Sequence, residues 1–505
     1  MPAAQITRAG SSASVYPPQR WIAVSGDNDV QRVASFLNRL TVAMGVSSCA
    51  RATNLCPICN RGLNVQYRIV ALPVISISAP SGPNTPEGKV SSRAPLVVAA
   101  CLLLMLMFST ATVFVRDAWA MQSFQIGVYL LLAVYLLAGI GHAKEHVAVG
   151  PVPWLVYLIP VWGLVQIFAH WTASTFETRE AVLRWGALAG VFFLSQVVGN
   201  TRANRRHLLS AFLLFATVMS VLCLTQLFTS EGRVLWIFPT GYSDVYATFQ
   251  SYNNYAQFIE LALPIALWRA LREGWKSWWY ALAGGILYAS VIGSASRAGT
   301  ALCTGELLAL SAIGLIRLRD PETGLPTRST TAMLVMVPVL AAAFTLAVGW
   351  ERVWERFQQN DPYLVRREFI VAALDMAKQR PLTGYGLGTF PEVYQRYAIK
   401  DFPFYANHTH NDWAEFAADG GIPFLLLVLI PCAAGIPSAI RNPWGLGLTA
   451  VMLHACVDYP FPRPAVSGWI FVVLGLLYMT RSPDQASQDS FKPAVRDRAS
   501  VQEPA

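Results

Sequence analysis

The sequence predicts an all-α integral membrane protein with about twelve transmembrane helices. Hydrophobic residues make up 54% of the 505 positions, charged residues only 13%, and the mean hydropathy is +0.41. A soluble protein needs about a quarter of its residues charged to cover its surface. Apolar runs also recur from Pro95 onward, and each is long enough to cross a bilayer as a helix.

These apolar runs define a predicted membrane domain over residues 95–480. Several runs are short or interrupted by Gly or Pro, so the number of spans can differ from twelve by one or two. The predicted spans are centred in the windows 95–115, 125–141, 152–170, 183–200, 207–228, 255–272, 277–294, 298–316, 330–349, 421–436, 444–457 and 465–480.

The two flanking segments are polar. Residues 1–94 contain nine Lys and Arg and three acidic residues, without a clear apolar period. This pattern favours a disordered cytoplasmic extension beside anionic lipid over a nucleic-acid surface, and a start further along the chain is the alternative. The tail over residues 481–505 is predicted to be disordered and cytoplasmic as well. No apolar stretch in the first thirty residues indicates a cleavable signal peptide.

Basic residues in the short loops predict the orientation, because cytoplasmic loops are enriched in Lys and Arg. With a cytoplasmic N-terminus, the inner loops hold eleven basic residues and the outer loops five. The inner set is Lys144, Arg202, Arg205, Arg206, Arg269, Arg272, Lys276, Arg317, Arg319, Arg328 and Arg441, and the outer set is Arg116, Arg179, Arg233, Arg297 and Arg463. Both termini are therefore expected to be cytoplasmic, and residues 350–420 form the large extracytoplasmic loop.

This loop contains its own helical signals. Residues 366–379 have apolar positions at helical spacing and precede Arg380-Pro381, and a second helical stretch covers about 409–419 before Gly420-Gly421. Between them, the glycines of 384–388 predict a turn that could bring backbone N–H groups near a phosphate or sugar. It is not a nucleotide-binding loop, because it follows no strand and precedes no Walker lysine. We expect a small helical cap on the outer face of the bundle.

Metal and cofactor sites are not predicted. Cys56 and Cys59 have metal-ligand spacing and Cys49 lies nearby, but residues 1–94 contain no fourth cysteine and no histidine to close a site. His408 and His410, with Asp412 as a third ligand, form only a weak metal pattern.

Three positions near the outer ends of the spans form a candidate constellation. Arg297 lies in Ser296-Arg297-Ala298-Gly299, Arg366 and its neighbour Arg367 open the loop helix, and His410 precedes Asn411. Each has an ordinary explanation, since an arginine can anchor at the interface and paired charges usually form a solvated helix face. Together, two guanidiniums can neutralise a departing diphosphate while an imidazole takes a proton from an attacking hydroxyl.

The same residues carry a family resemblance over residues 95–480. The segment 350–424 resembles the core of the O-antigen ligase and polymerase superfamily in its arginine before a helix, its Pro-Leu-Thr-Gly-x-Gly-x-Gly-Thr-Phe run, and its His-Asn-Asp followed by Glu and Gly-Gly. Ser296-Arg297-Ala298-Gly299 matches the Ser-Arg motif of that superfamily. Asn253-Asn254-Tyr255-Ala256 and His454 through Asp458 are also similar to family segments.

The resemblance implies a metal-independent, inverting C-type glycosyltransferase of the bacterial cytoplasmic (inner) membrane, without a cofactor. Its donor would be a polyprenyl-diphosphate-linked glycan and its acceptor a lipid or glycan, transferred at the extracytoplasmic face. Arg297 and Arg366 would bind the diphosphate, and His410 would activate the acceptor hydroxyl. Asn411 and Glu415 are further substrate-binding candidates, and their spacing of four residues places them on one helix face.

Other functions remain open at this point. A polysaccharide polymerase, or a transferase that modifies protein Ser or Thr, would use the same chemistry with a different acceptor. A glycan or lipid transporter would instead place its ionisable residues near the bilayer midplane, often in related halves of the chain. Because the singled-out residues lie at the outer rim, the sequence favours an enzyme.

Overall fold

A computed structural model describes residues 94–480, apart from short gaps. The gaps are 116, 140–149, 242–243, 274–277, 321–322, 350, 352–353, 356–357, 359–362, 401 and 403–404. The predicted extension lies outside the described residues except for Ala94, and so do Cys49, Cys56 and Cys59 and the predicted tail over 481–505.

The described chain is built almost entirely of helices, as predicted. They are α1 (Ala94–Ala111), α2 (Ala118–Gly139), α3 (Pro151–Phe168), α4 (Thr175–Val198), α5 (Arg202–Thr229), α6 (Tyr252–Glu273), α7 (Trp278–Ser294), α8 (Arg297–Arg317), α9 (Arg328–Val348), α10 (Leu364–Gln379), α11 (Phe390–Tyr394), α12 (Asp412–Arg441), α13 (Gly447–His454) and α14 (Pro464–Met479). A 3-10 turn, Pro443–Gly445, precedes α13. Two antiparallel strands of two residues each, β1 (Arg233–Val234) and β2 (Phe238–Pro239), form the one sheet in the described residues.

Every predicted window holds a helix, but not every helix qualifies as a membrane span. Within the described ranges, seven helices are long and apolar enough to cross a bilayer: Ala118–Ala138, Pro151–Phe168, Thr175–Val198, Arg202–Thr229, Arg297–Arg317, Thr330–Ala347 and Asp412–Arg441. Pro95–Ala111 and Pro464–Met479 are shorter apolar helices. The eight residues of α13 extend only about 12 Å, less than half of a bilayer core. A membrane protein is therefore confirmed, whereas the number twelve stays a prediction.

The bundle buries its central helices and exposes apolar side chains on its outer ones. Helices α6 and α14 are buried along nearly their whole length, and Trp469 of α14 stacks on Phe212 of α5 with ring centroids 4.1 Å apart. By contrast, Phe168, Leu346 and Leu137 are 78%, 74% and 70% exposed. Large apolar side chains at such exposure are unfavourable in water and compatible with lipid.

The segment between α9 and α12 has a small core of its own. Phe369 and Met376 of α10 pack with Phe390 of α11 and with the first part of α12. Helix α10 ends at Gln379, as predicted, and α12 begins at Asp412, close to the second predicted stretch. A break interrupts α12 at Gly421, whose φ is +70°, and a Cβ there would meet the backbone of residues 381–382 at 2.8–2.9 Å. The glycine therefore lets the chain before α11 pass directly beside α12.

Candidate active site

A cavity of about 930 Å³ lies where α4, α11 and the starts of α6 and α12 meet the loop after α13. Of the six predicted site residues, Arg366, His410 and Glu415 line it, whereas Arg297, Arg367 and Asn411 are not in its lining. Eight carboxylate side chains and three guanidiniums are in the lining. The structure thus brings together charged groups that are up to 346 positions apart, from Asp117 to Arg463, around one space.

His410 is paired with a buried carboxylate from a distant part of the chain. Its Nδ1 lies 2.9 Å from Oδ1 of Asp458, whose side chain is 1% exposed, while the imidazole is 29% exposed. An ionised carboxylate can only accept, so Nδ1 is the donor and Nε2 is left to take a proton. The pair therefore has the tautomer that general-base catalysis requires.

The environment keeps Asp458 ionised. Burial by itself would raise the pKa of this carboxyl group, because the charged form is poorly solvated. The hydrogen bond and charge of His410, with the charges of His454 and Arg366 behind them, outweigh burial, so the pKa lies below its ordinary value. An anionic Asp458 then stabilises the imidazolium that forms when His410 accepts a proton.

The backbone at His410 is in an unusual conformation. Its φ is +56°, in the left-handed region that non-glycine residues rarely adopt and that costs of order 1–3 kcal/mol. Glu415 compensates by holding the preceding residues: its carboxylate accepts from Thr409 N at 2.9 Å and lies 2.9 Å from His408 Nδ1. Glu415 also lines the cavity, so it is both a support for the His410 loop and a wall of the site.

Asn411 and Asp412 join the His410 loop to the loop that carries Asp458. Asn411 caps α12 by accepting from Ala414 N at 3.0 Å, and its amide donates to Cys456 O at 2.8 Å. Asp412 donates its N–H to Ala455 O at 3.0 Å and accepts from Phe461 N at 3.0 Å. These bonds set the register that places His410 opposite Asp458. They engage both polar atoms of the Asn411 side chain in the protein, so its assignment to substrate binding stays a prediction.

The two predicted diphosphate ligands meet at one aromatic ring. The guanidinium carbons of Arg297 and Arg366 lie 4.9 and 5.8 Å from the ring centroid of Tyr363. Arg366 also donates to Val457 O at 2.9 Å, next to Asp458. Cation–π contacts of this kind hold a guanidinium in place without consuming its hydrogen-bond donors. Arg367, in contrast, is exposed and is not among the residues lining the cavity.

Local contacts explain the serine and the glycine of Ser296-Arg297-Ala298-Gly299. Ser296 caps α8 by accepting from Gly299 N at 3.1 Å, and its hydroxyl donates to Asn253 Oδ1 at 2.8 Å. A Cβ at Gly299 would meet the Cβ of Ala256 at 2.4 Å, so α6 and α8 cross too closely there for any larger residue. The motif and the Asn-Asn-Tyr-Ala segment therefore fit each other and fix the position of Arg297.

The glycine turn at 384–388 supports the site rather than offering its amides to a ligand. Tyr385 N and Gly386 N donate to the carbonyls of Ala418 and Asp419. Leu387 N donates to Gln166 Oε1 at 3.1 Å, and Gly388 N to Asp419 Oδ2 at 2.8 Å. The expectation that these amides could approach a phosphate or sugar is therefore wrong, because all four donate within the protein.

Sequence reasoning missed three residues of the site. In the sequence, Asp458 belongs only to a segment that is similar to the family, because no spacing rule connects it to His410. Arg184 lines the cavity from α4 and stands at the start of a predicted span, where an ionisable residue could have been recognised as a functional candidate. The sequence identifies Arg463 only as one of the basic residues of the outer loops. Among the described residues, no group of three or more His, Cys, Asp and Glu could hold a metal ion.

A known protein family matches part of the chain that forms this site. Residues 281–429 match the model of a family described as O-antigen ligase. The match covers Arg297, Arg366, His410 and Glu415 and ends before Asp458. None of the curated proteins compared with the chain matches it.

Proposed function

Since this membrane protein carries an O-antigen ligase domain at residues 281–429, we propose that it transfers a glycan from a polyprenyl-diphosphate carrier to an acceptor hydroxyl. The observation that supports this most is the His410–Asp458 pair beside Arg366 in one cavity, with Arg297 at the same Tyr363 ring as Arg366. The reaction belongs to cell-surface polysaccharide biosynthesis. Residues 350–420 would then lie on the extracytoplasmic side, with both termini in the cytoplasm.

The geometry suggests how each group would act. The acceptor hydroxyl donates to Nε2 of His410, its oxygen attacks the anomeric carbon, and the bond from that carbon to the diphosphate oxygen breaks. The hydroxyl proton moves to His410, and the bonding electrons leave with the diphosphate. Attack opposite to the leaving group inverts the anomeric configuration. A positioned base of this kind contributes roughly 10²–10⁴ in rate.

Arg297 and Arg366 would receive the leaving group. The diphosphate gains negative charge as the sugar departs, so cations held in place beforehand stabilise the transition state more than the ground state. Tyr363 provides that placement, because both guanidiniums contact its ring. No metal ion is required for this neutralisation in our proposal.

A ligase, a polymerase and a protein O-oligosaccharyltransferase would share this chemistry and differ in the acceptor. The polymerase is the close alternative. A transporter is less well supported, since His410 and the two arginines belong to the ends of helices and the loops between them, whereas a transporter places its ionisable residues near the bilayer midplane.

The test is glycan transfer by the purified full-length protein in nanodiscs, with a polyprenyl-diphosphate oligosaccharide donor and EDTA present. We expect His410→Ala to lose about 10³-fold in rate and Arg297→Ala about 10²-fold. His207→Ala and Arg396→Ala, which replace exposed residues outside the cavity, serve as matched controls. Product length would distinguish a ligase from a polymerase. Normal transfer by His410→Ala, or loss of wild-type activity with EDTA, would contradict the mechanism.

A further inference from the structure

The cavity has an acidic face made by carboxylates that the proposed chemistry does not use. This face consists of Glu177 and Glu180 on α4, Glu392 on α11 and Asp419 on α12. Tyr405 lines the cavity beside them and is 58% exposed. The guanidinium of Arg184 also lines the cavity, and it interacts electrostatically with Glu415 and Asp419.

The fold assembles the acidic face from three directions. Glu177, Glu180 and Arg184 are spaced by three and four residues, which places them on one side of α4. The glycine turn brings α11 against that helix, since a Cβ at Gly388 would lie 3.4 Å from Glu177 O. Gly388 N also holds Asp419 by donating to its Oδ2 at 2.8 Å. The carboxylates are therefore positioned by backbone contacts and not gathered at random on a surface.

One carboxylate oxygen in this face is buried and has no hydrogen-bond donor. Asp419 is 4% exposed, and within the described residues its Oδ1 has no partner, although Oδ2 is satisfied. Leaving a buried acceptor without a donor costs about 1–3 kcal/mol. Native structures rarely retain such a group without a reason. A bound hydroxyl group, which can both donate and accept a hydrogen bond, would supply the missing partner.

The carboxylates of this face disfavour an anionic ligand there. Burial and the neighbouring charge of Glu177 raise the pKa of Glu392, and burial with the charges of Glu392 and Glu177 raises the pKa of Tyr405. These shifts indicate that negative charge is already concentrated here. A phosphate group would add to that repulsion, whereas an uncharged hydroxyl would be attracted as a donor.

We propose that the acidic face binds the acceptor as an uncharged, hydroxyl-rich carbohydrate without phosphate groups. This proposal rests on the proposed transferase function, of which it specifies the acceptor. Carboxylates accept hydrogen bonds from sugar hydroxyls, and the exposed ring of Tyr405 offers an apolar surface for the C–H face of a sugar. The donor diphosphate would lie at Arg366 and Arg297, so the donor and the acceptor would contact groups of opposite charge.

The experiment measures binding without transfer. Full-length protein in nanodiscs is titrated, without donor, with pairs of oligosaccharides that are identical except for one phosphomonoester. We expect wild type to bind the uncharged member about tenfold more tightly, a difference that corresponds to about 1.4 kcal/mol. The double variant Glu177→Gln/Glu392→Gln keeps hydrogen-bonding side chains but removes two charges, and it should reduce the preference to about threefold or less. Glu355→Gln, an exposed residue outside the cavity, is the control.

Equal or tighter binding of the phosphorylated member by wild type would overturn the proposal. So would an unchanged preference in the double variant, or binding of neither member. Because no transfer is measured, the outcome is separate from that of the catalytic proposal. His410→Ala should keep the full preference even though it cannot transfer.

Discussion

Two histidine–carboxylate pairs differ almost only in their access to the cavity. His454 Nδ1 lies 2.6 Å from Glu260 Oε1, and both side chains are 0% exposed. His410 and Asp458 are 2.9 Å apart, but the His410 ring is 29% exposed and lines the cavity. Within the described residues, His454 Nε2 and Glu260 Oε2 have no hydrogen-bond partner. The same kinds of group therefore form a pair that is accessible from the cavity in one place and a fully buried pair in the other.

In the proposed mechanism, the position of each pair, and not its residue types, separates a catalytic role from a supporting one. The buried pair connects α6 with the end of α13, and His454 O accepts from Asp458 N at 3.0 Å. His454 thus holds the backbone of the residue that orients His410. One pair supports the other, and this relation can be tested by breaking each pair separately.

After His410→Ala, the largest effect on rate within these two pairs is expected from Asp458→Asn. The amide cannot stabilise an imidazolium and can hold the wrong tautomer, so transfer should fall by about 100-fold while the protein remains folded. Because the pKa of Asp458 is depressed, its stabilising contribution is lost only when the pH falls through that lowered value, so the pair stays formed at roughly pH 6–8. Transfer rate and thermal unfolding would be measured together. Asp375→Asn, at an exposed ion pair with Lys378, is the control, and full activity of Asp458→Asn would refute the pairing.

Breaking the buried His454–Glu260 pair should mainly lower the free energy of unfolding. His454→Leu leaves Glu260 buried without its partner and is expected to cost about 3–5 kcal/mol. The double replacement His454→Leu/Glu260→Met removes both polar groups and should recover most of that loss. Thermal unfolding in detergent measures the effect, and transfer per folded molecule measures any catalytic role. If the double variant is stable but inactive, the sealed pair participates in the reaction and the contrast between the two pairs fails.

The smallest effect is expected from a substitution at Arg367. This prediction tests whether access to the cavity also distinguishes two neighbouring arginines. Arg366 lines the cavity, whereas Arg367 is exposed outside it. Arg367→Ala should change the KM for the donor by less than about twofold, the range of an ordinary surface substitution. Arg366→Ala, assayed in parallel, should raise the barrier strongly. A tenfold increase in KM for Arg367→Ala would show that the donor extends along the outer side of α10.

The positions of the helices could be predicted because apolar periodicity is a local property. The end of α10 at Gln379 and the break near Gly420-Gly421 follow from Arg380-Pro381 and from paired glycines. The number of spans could not be predicted in the same way. Apolar windows such as 444–457 contain only the short α13, and α6 carries four charged residues inside an apolar run.

By itself the sequence determined a helical membrane protein, and it singled out Arg297, Arg366 and His410, because rare charged residues stand out against apolar runs. Only the tertiary structure decided that His410 pairs with Asp458, that Arg184 enters the same cavity, and that the four carboxylates of the acidic face line it together. These contacts join residues dozens to hundreds of positions apart. They depend on how α4, α6 and α12 pack, and helix packing is set by side-chain shape and burial over the whole bundle, which no local pattern contains.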